Sequence, residues 1–161
     1  MDKSTKTIGS MFDSIAHRYD FLNHFLSFGI DKYWRKRTVR IITGHQENPS
    51  VLDVATGTAD LAITAVRMGA SRITGIDISE KMLETGRQKI RKMGMEDKIE
   101  LINCSSESIC FNDNTFDAAM VAFGVRNFHD PVLGLSEMKR VVRPGGIVAV
   151  LEFSKDRKSV V

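Results

Sequence analysis

The amino-acid sequence predicts a doubly wound α/β fold, in which a parallel sheet carries helices on both faces. Five short apolar runs alternate with stretches of helical periodicity, a pattern typical of parallel strands joined by right-handed helical crossovers. The chain has 161 residues, of which 42% are hydrophobic and 27% are charged, and this fits one globular domain with a buried core. No apolar stretch approaches the roughly 20 residues of a membrane-spanning helix, and the start lacks the apolar region of a secretory signal. We therefore expect a cytoplasmic protein.

Residues 1–50 are predicted to form a helical cap on the sheet. Helical spacing of apolar side chains indicates a first helix, with Phe12, Ile15, Ala16 and Tyr19 on one face. A second helix is expected from Ile30 to Gly44, with an apolar face made of Trp34, Val39, Ile41 and Ile42. Five cations accompany that face, namely Lys32, Arg35, Lys36, Arg37 and Arg40.

Residues 51–155 are predicted to form the sheet domain, without an internal repeat or a long linker. Its strands are expected at residues 51–55, 72–77, 98–103, 116–122 and 147–153. A helix should follow the first strand over residues 61–68. Ser79 is placed to cap the next helix and Gly94 to end it, whereas Asp130 and Pro131 are placed to begin the last one.

Charge and cysteine content exclude several classes of function. The formal net charge of +3 is too small to imply a nucleic-acid partner, which needs many clustered cations. Cys104 and Cys110 are the only cysteines, too few for a disulfide scaffold and without the partners of a zinc site. We predict no metal site and interpret both thiols as reduced packing residues.

The turn after the first strand is the predicted ligand site, because ligands of open parallel sheets lie beyond the carboxyl ends of the strands. Gly57 lets the backbone approach a ligand closely, and the helix that follows offers free N–H groups. Asp77 ends the next strand about 20 residues later, the separation at which a carboxylate reaches the ribose of an adenosine cofactor. The sequence therefore predicts an adenosine-type cofactor.

Two cofactor classes compete for this site. Gly57, Ala59 and Ala62 loosely match the dinucleotide fingerprint, which would indicate NAD. Asp53, however, would repel a pyrophosphate and favour the ammonium and sulfonium cations of S-adenosylmethionine. Asp53 and Asp77 could instead cap local turns, but the pair at this spacing favours S-adenosylmethionine binding.

Three motifs, in order along the chain, resemble the ubiquinone/menaquinone biosynthesis C-methyltransferase family (demethylmenaquinone methyltransferase-like). They are YDFLNHFLSFG at residues 19–29 with Trp34, AFGVRN at residues 122–127, and RVVRPGG at residues 140–146 leading into LEFSK. The resemblance implies a Rossmann-like class I S-adenosylmethionine-dependent methyltransferase fold. It also implies C-methylation of a prenylated hydroquinol, either demethylmenaquinol or the equivalent of the ubiquinone pathway.

Residue roles follow from the resemblance position by position. Thr58 and Asp77 would bind the methyl donor, and Ser105 and Ser106 would contact adenine. The family usually has Gly at Ala59 and often Asp or Asn at Ser105.

Arg126, Asn127 and Tyr19 are the candidate catalytic residues. Because arginine stays protonated, Arg126 would stabilise a phenolate or orient a water, and Asn127 would orient a quinol oxygen. His129 ranks below Arg126 as a base. Tyr19, with Asp20 and Asn23, would close over the quinol.

The predicted partner is a lipid-like quinol, whose isoprenoid tail the aromatic cap would line. The cations of the second helix could meet anionic headgroups at the inner membrane face, and a homodimer is a further expectation for the full-length protein. A nicotinamide-dependent oxidoreductase and a non-catalytic cofactor-binding fragment remain the alternatives.

The family continues beyond Lys155 with a helix and a C-terminal hairpin, which we expect to be missing here. Residues 156–161 resemble nothing in the family. Their amino-acid sequence matches the translation of a common sequencing-library adapter, so this tail is expected to be an artefact.

Overall fold

A computed structural model of the protein describes residues 29–152. The first predicted helix, the candidates Tyr19, Asp20 and Asn23, and the tail at residues 156–161 lie outside the described residues. Of the predicted cap, the described part is the second helix.

The described chain forms one five-stranded parallel sheet, as predicted. The strands are β1 (Ser50–Val54), β2 (Arg72–Asp77), β3 (Ile99–Asn103), β4 (Phe116–Ala122) and β5 (Val142–Leu151). Their order is β3-β2-β1-β4-β5, so the chain builds outward from β1 on one side and then crosses to begin β4 on the other. The carboxyl ends of β1 and β4 are therefore the switch point of the sheet.

The start of β5 differs from the prediction. The strand was expected to begin at Ile147, but pairing already begins at Val142, which lies opposite Phe116. A register shift between Phe116 and Ala118 accommodates the glycine run, and Gly145 has a φ of 84°. The strand therefore contains an irregularity near its start.

Within residues 29–152, four α-helices connect and cover the strands: α1 (Ile30–His45), α2 (Asp60–Arg67), α3 (Glu80–Lys92) and α4 (Pro131–Val141). The predicted caps are confirmed. Ser79 Oγ accepts a hydrogen bond from the Met82 amide at 3.3 Å, and Asp130 Oδ1 accepts one from the Leu133 amide at 3.1 Å. These bonds satisfy amides that the first helical turn leaves without a partner.

Each face of the sheet has its own core. Side chains of α1, α2 and α3 pack against one face, with Val39, Leu61 and Leu83 among them. Met138 and Val141 of α4 pack against the other. The predicted arrangement with helices on both faces is therefore confirmed. Within the described residues, no helix is long and apolar enough to cross a membrane.

The predicted apolar face of α1 is wrong in its phase. Trp34 is 40% and Ile41 is 55% exposed, whereas Val39 and Ile42 are buried. The inward stripe is completed by Asp31, Arg35 and Thr38, which follow one another at spacings of four and three residues. Thr38 in turn lies four residues before Ile42. In the first turn of the helix, the buried side is therefore formed by the carboxylate of Asp31 and not by the ring of Trp34.

The third sequence motif has a structural role. Arg140 donates to Glu137 Oε1 at 2.8 Å and to Asp113 Oδ1 at 2.8 Å, and it also reaches two backbone carbonyls of the loop before β4. Arg143 donates to Asp117 Oδ1 at 2.6 Å. The motif therefore fixes α4 and β5 to the neighbouring chain rather than lining the ligand site.

Candidate functional site

A cavity of about 100 Å³ opens at the switch point of the sheet. Among the described residues, its walls are formed by the loops that follow the carboxyl ends of β1 to β4 and by Arg35 of the helix Ile30–His45. This position is where an open parallel sheet binds its ligand.

The loop after β1 is held close to the cavity by local hydrogen bonds. Thr56 Oγ1 donates to Asp53 Oδ2 at 2.6 Å, and the Thr56 amide donates to the Ile76 carbonyl at 2.9 Å. Gly57 has a φ of 59°, and a Cβ there would lie 3.0 Å from Met82 Cε. A larger residue would be strained at Gly57, so the backbone of the turn forms the cavity wall.

Asp77 joins the loops after β1 and β2. Its Oδ2 accepts from the Gly57 amide at 2.9 Å, and its Oδ1 accepts from the Ser79 amide at 2.9 Å. The capping alternative considered from the sequence is therefore correct in geometry. It does not compete with ligand binding, because each carboxylate oxygen can accept a second hydrogen bond.

Asp53 is a buried carboxyl in the cavity wall, with 1% of its surface exposed. Burial is the main cause that raises its pKa to about 7, and the hydrogen bond from Thr56 and the charge of Arg35 oppose that rise. The nearby Asp77 and Asp60 raise the pKa further. Burial thus favours the protonated form of Asp53 more than it would be favoured in a carboxyl exposed to water.

A chain of charged groups crosses the edge of the cavity beside Thr58. Lys89 Nζ donates to Thr58 Oγ1 at 2.9 Å and to Asp60 Oδ1 at 2.9 Å. Asp60 Oδ2 in turn accepts from Arg35 Nη1 at 3.2 Å. This network ties α1, α2 and α3 together at the site.

Arg35 corrects a sequence-based interpretation. We grouped it with the headgroup-facing cations of α1, but its side chain is only 11% exposed and lines the cavity. Lys32, Lys36, Arg37 and Arg40 are exposed as expected. The spacing of Arg35 from Asp31 and Val39 would have indicated its inward direction.

The loop after β3 brings Ser105 and Ser106 to the cavity, where the resemblance places them. Ser105 Oγ accepts from the Glu107 amide at 3.2 Å. Cys104 is buried, as predicted, and burial raises its pKa to about 12. Cys110 is exposed, so its interpretation as a packing residue is wrong; the turn after Ile109 directs it outward.

The loop after β4 carries three candidate residues, of which only two line the cavity. Asn127 lines the cavity, and so does His129. Arg126, in the short helix Val125–Asn127, is exposed and is not among the lining residues. Phe123 also lines the cavity, with a φ of 58°; it lies within the second sequence motif, which gave it no role of its own. Tyr19 lies outside the described residues.

A parallel sheet of this order, with a glycine turn after β1 and a carboxylate at the end of β2, is consistent with the expected Rossmann-like class I S-adenosylmethionine-dependent methyltransferase fold. A solved structure of a SAM-dependent methyltransferase from Aquifex aeolicus is similar to it, with a TM-score of 0.67 and 27% identity; the match covers 77% of this chain and 66% of that one. The model of the ubiE/COQ5 methyltransferase family matches residues 1–161. The chain belongs to this family.

Curated relatives agree with that assignment. The ubiquinone/menaquinone biosynthesis C-methyltransferase UbiE of Geotalea daltonii is 49% identical over 152 residues, which are 93% of this chain and 64% of that protein. The demethylmenaquinone methyltransferase of Bacteroides fragilis is 44% identical over 153 residues, which are 94% of this chain and 62% of that protein. The chain thus spans less than two thirds of either relative. These names disfavour the nicotinamide-dependent alternative.

Proposed function

We propose that this chain binds S-adenosylmethionine and belongs to an enzyme that methylates a ring carbon of a prenylated hydroquinol. The observation that carries the proposal is the charge of the cavity wall, which presents Asp53, Asp60 and Asp77 around the glycine turn. Carboxylates in a partly buried cavity attract ammonium and sulfonium groups. The same wall would repel the pyrophosphate of a dinucleotide. Membership of the ubiE/COQ5 family supports the same donor.

The described residues fit the donor along its length. Asp77 would accept hydrogen bonds from the ribose hydroxyls at the end of β2, and Asp53 would face the ammonium group. The Thr58 hydroxyl and the Gly57 backbone would border the amino acid end. Ser105 and Ser106 would contact adenine. Ser105 keeps a hydroxyl proton and a second lone pair beside its bond to the Glu107 amide.

The acceptor needs activation, because a ring carbon is a weak nucleophile. Loss of a phenolic proton, normally near pH 10, moves electron density onto the adjacent carbon. The bound donor supplies an electrophilic methyl group in line with that carbon. Asn127 would orient the quinol oxygen from the cavity wall.

Three residues remain proposals for activating and enclosing the quinol. Arg126 would stabilise the phenolate if its exposed side chain turns toward the bound quinol. His129 lines the cavity and would be the proton acceptor. Tyr19, from the first motif, would close over the quinol.

The exposed side of α1 supports peripheral contact with a membrane that holds the quinol. Tyr33 is 56% and Trp34 is 40% exposed, and Arg37 lies over the Trp34 ring at 5.5 Å. Aromatic rings beside cations are typical of interfacial helices. Sedimentation with anionic and neutral lipid vesicles tests this contact. Analytical ultracentrifugation tests the predicted homodimer.

Titration calorimetry on the 161-residue chain tests the donor assignment. We expect S-adenosylhomocysteine to bind and NAD not to bind. Methyl transfer from labelled S-adenosylmethionine to demethylmenaquinol, measured in a version extended after Lys155 with a homologous C-terminal segment, then tests the acceptor. Binding of NAD with no binding of S-adenosylhomocysteine would overturn the proposed function.

A further inference from the structure

Arg35 is the only arginine or lysine among the described residues that line the cavity. The other charged lining residues, apart from His129, are acidic: Asp53, Asp60, Asp77 and Glu107. An anionic group of a ligand entering this wall would be repelled unless it lay beside the guanidinium.

The ion pairs of Arg35 leave part of its donor capacity unused. Nη1 lies 3.2 Å from Asp60 Oδ2 and 3.6 Å from Asp31 Oδ2. Nε is buried, and no described residue accepts a hydrogen bond from it. A buried donor without an acceptor destabilises the fold, because it has lost its hydrogen bonds to water and forms none within the protein. The planar guanidinium therefore has an edge suited to a carboxylate.

Local charge is already balanced without a ligand. Asp60 pairs with both Arg35 and Lys89, and Asp31 pairs with Arg35. Two carboxylates thus meet two cations. An incoming carboxylate beside Arg35 would come with the ammonium group of the same amino acid, which Asp53 can receive.

We propose that Arg35 binds the α-carboxylate at the amino acid end of the methyl donor. This inference rests on the proposed donor. It assigns to α1 a part in cofactor recognition, so that the cap helix and the sheet loops bind one ligand between them. Asp60 and Asp31 act as positioning residues that hold the guanidinium at the cavity edge.

The test compares two ligands that differ only in the carboxylate. S-Adenosylhomocysteine carries it, and decarboxylated S-adenosylhomocysteine keeps the ammonium group but lacks it. Calorimetry on the wild-type chain should give tighter binding of the first by roughly 10- to 100-fold, the range for a hydrogen-bonded charge pair. In Arg35→Met the two affinities should converge, with the decarboxylated ligand bound as in the wild type. Arg35→Lys should restore part of the difference.

Arg91→Met is the matched control, because Arg91 is an exposed arginine of α3 paired with Glu84, and it should retain the wild-type ratio. Equal weakening of both ligands in Arg35→Met would show that Arg35 only anchors α1, and a wild-type chain that does not distinguish the ligands would equally overturn the inference. If circular dichroism shows that Arg35→Met does not fold, the wild-type ratio and Arg35→Lys decide the question. A wild-type chain that binds neither ligand would refute the proposed donor itself.

Discussion

Replacing Asp53 by asparagine should make the protein more stable at alkaline pH while weakening its binding of the donor. Asp53 is fully buried, and its pKa is raised from 3.8 to about 7. A carboxyl whose pKa is higher in the folded state favours folding while it is protonated, and that contribution is lost as the pH rises from about 4 to above 7. At about 1.36 kcal/mol for each tenfold change, the loss amounts to at most roughly 4 kcal/mol. Asparagine keeps an acceptor for Thr56 and carries no charge.

Urea unfolding between pH 4 and pH 8 measures this effect. The free energy of unfolding of the wild type should fall across that interval, and that of Asp53→Asn should stay nearly level. The control is Asp97→Asn, which removes an exposed carboxylate before β3 and should leave the wild-type slope in place. Parallel slopes in wild type and Asp53→Asn would refute the reasoning from burial.

Asp53→Asn should weaken donor binding, although it raises the free energy of unfolding. If the ionised form of Asp53 receives the ammonium group, Asp53→Asn should bind S-adenosylhomocysteine more weakly at pH 8 despite its greater stability. A variant that gains stability and loses affinity separates a ligand-binding carboxylate from a structural one. Unchanged affinity would leave Asp53 with the turn-capping role alone.

Three further outcomes are expected. Asp77→Ala should weaken S-adenosylhomocysteine binding by about 1.5–3 kcal/mol, and it should also lower stability in urea unfolding, because two backbone amides lose their acceptor; equal affinity would remove Asp77 from the site. In a full-length version of the protein, Arg126→Ala should bind the donor normally and lose methyl transfer to a quinol, whereas full turnover in that variant together with loss in His129→Gln would transfer the role of activating the quinol to His129. Below pH 4.5 stability should fall as Glu137 and Asp117 are protonated, because hydrogen bonds from Arg140 lower the pKa of Glu137, and those from the Ser50 amide and Arg143 outweigh burial to lower the pKa of Asp117. Acid titration followed by circular dichroism checks this.

Sequence patterns predicted the sheet and the glycine turn well, since both depend on local signals. Apolar runs mark the strands of a buried parallel sheet directly. Gly57 and Asp77 are each placed by the end of a strand, and the carboxyl ends of parallel strands meet at one edge. The β5 start was missed because Pro144 and two glycines imitate a turn that the sheet absorbs as an irregularity.

The sequence predicted less well which side chains point toward the core or the cavity. Hydrophobicity alone placed Trp34 inward and Arg35 outward, whereas an ion pair with Asp31 and Asp60 fixes the opposite phase. The same limit applies to Arg126 and His129. Their positions three residues apart in a loop gave no means to decide which one lines the cavity, because a short 3-10 helix sets their directions.

Asp53 and Arg35 together give the cavity a preference for a ligand carrying both charges. Burial raises the pKa of Asp53, and a ligand ammonium group would favour its ionised form, so binding near neutral pH should be accompanied by proton release from the protein. Calorimetry in buffers of different ionisation enthalpy measures that release directly. S-Adenosylhomocysteine and its decarboxylated form should both release the proton, because both carry the ammonium group, but only the first should gain from Arg35. Suppose that both ligands release protons and that S-adenosylhomocysteine binds more tightly than its decarboxylated form. The ammonium group of the ligand would then be assigned to Asp53 on β1, and its carboxylate to Arg35 on α1.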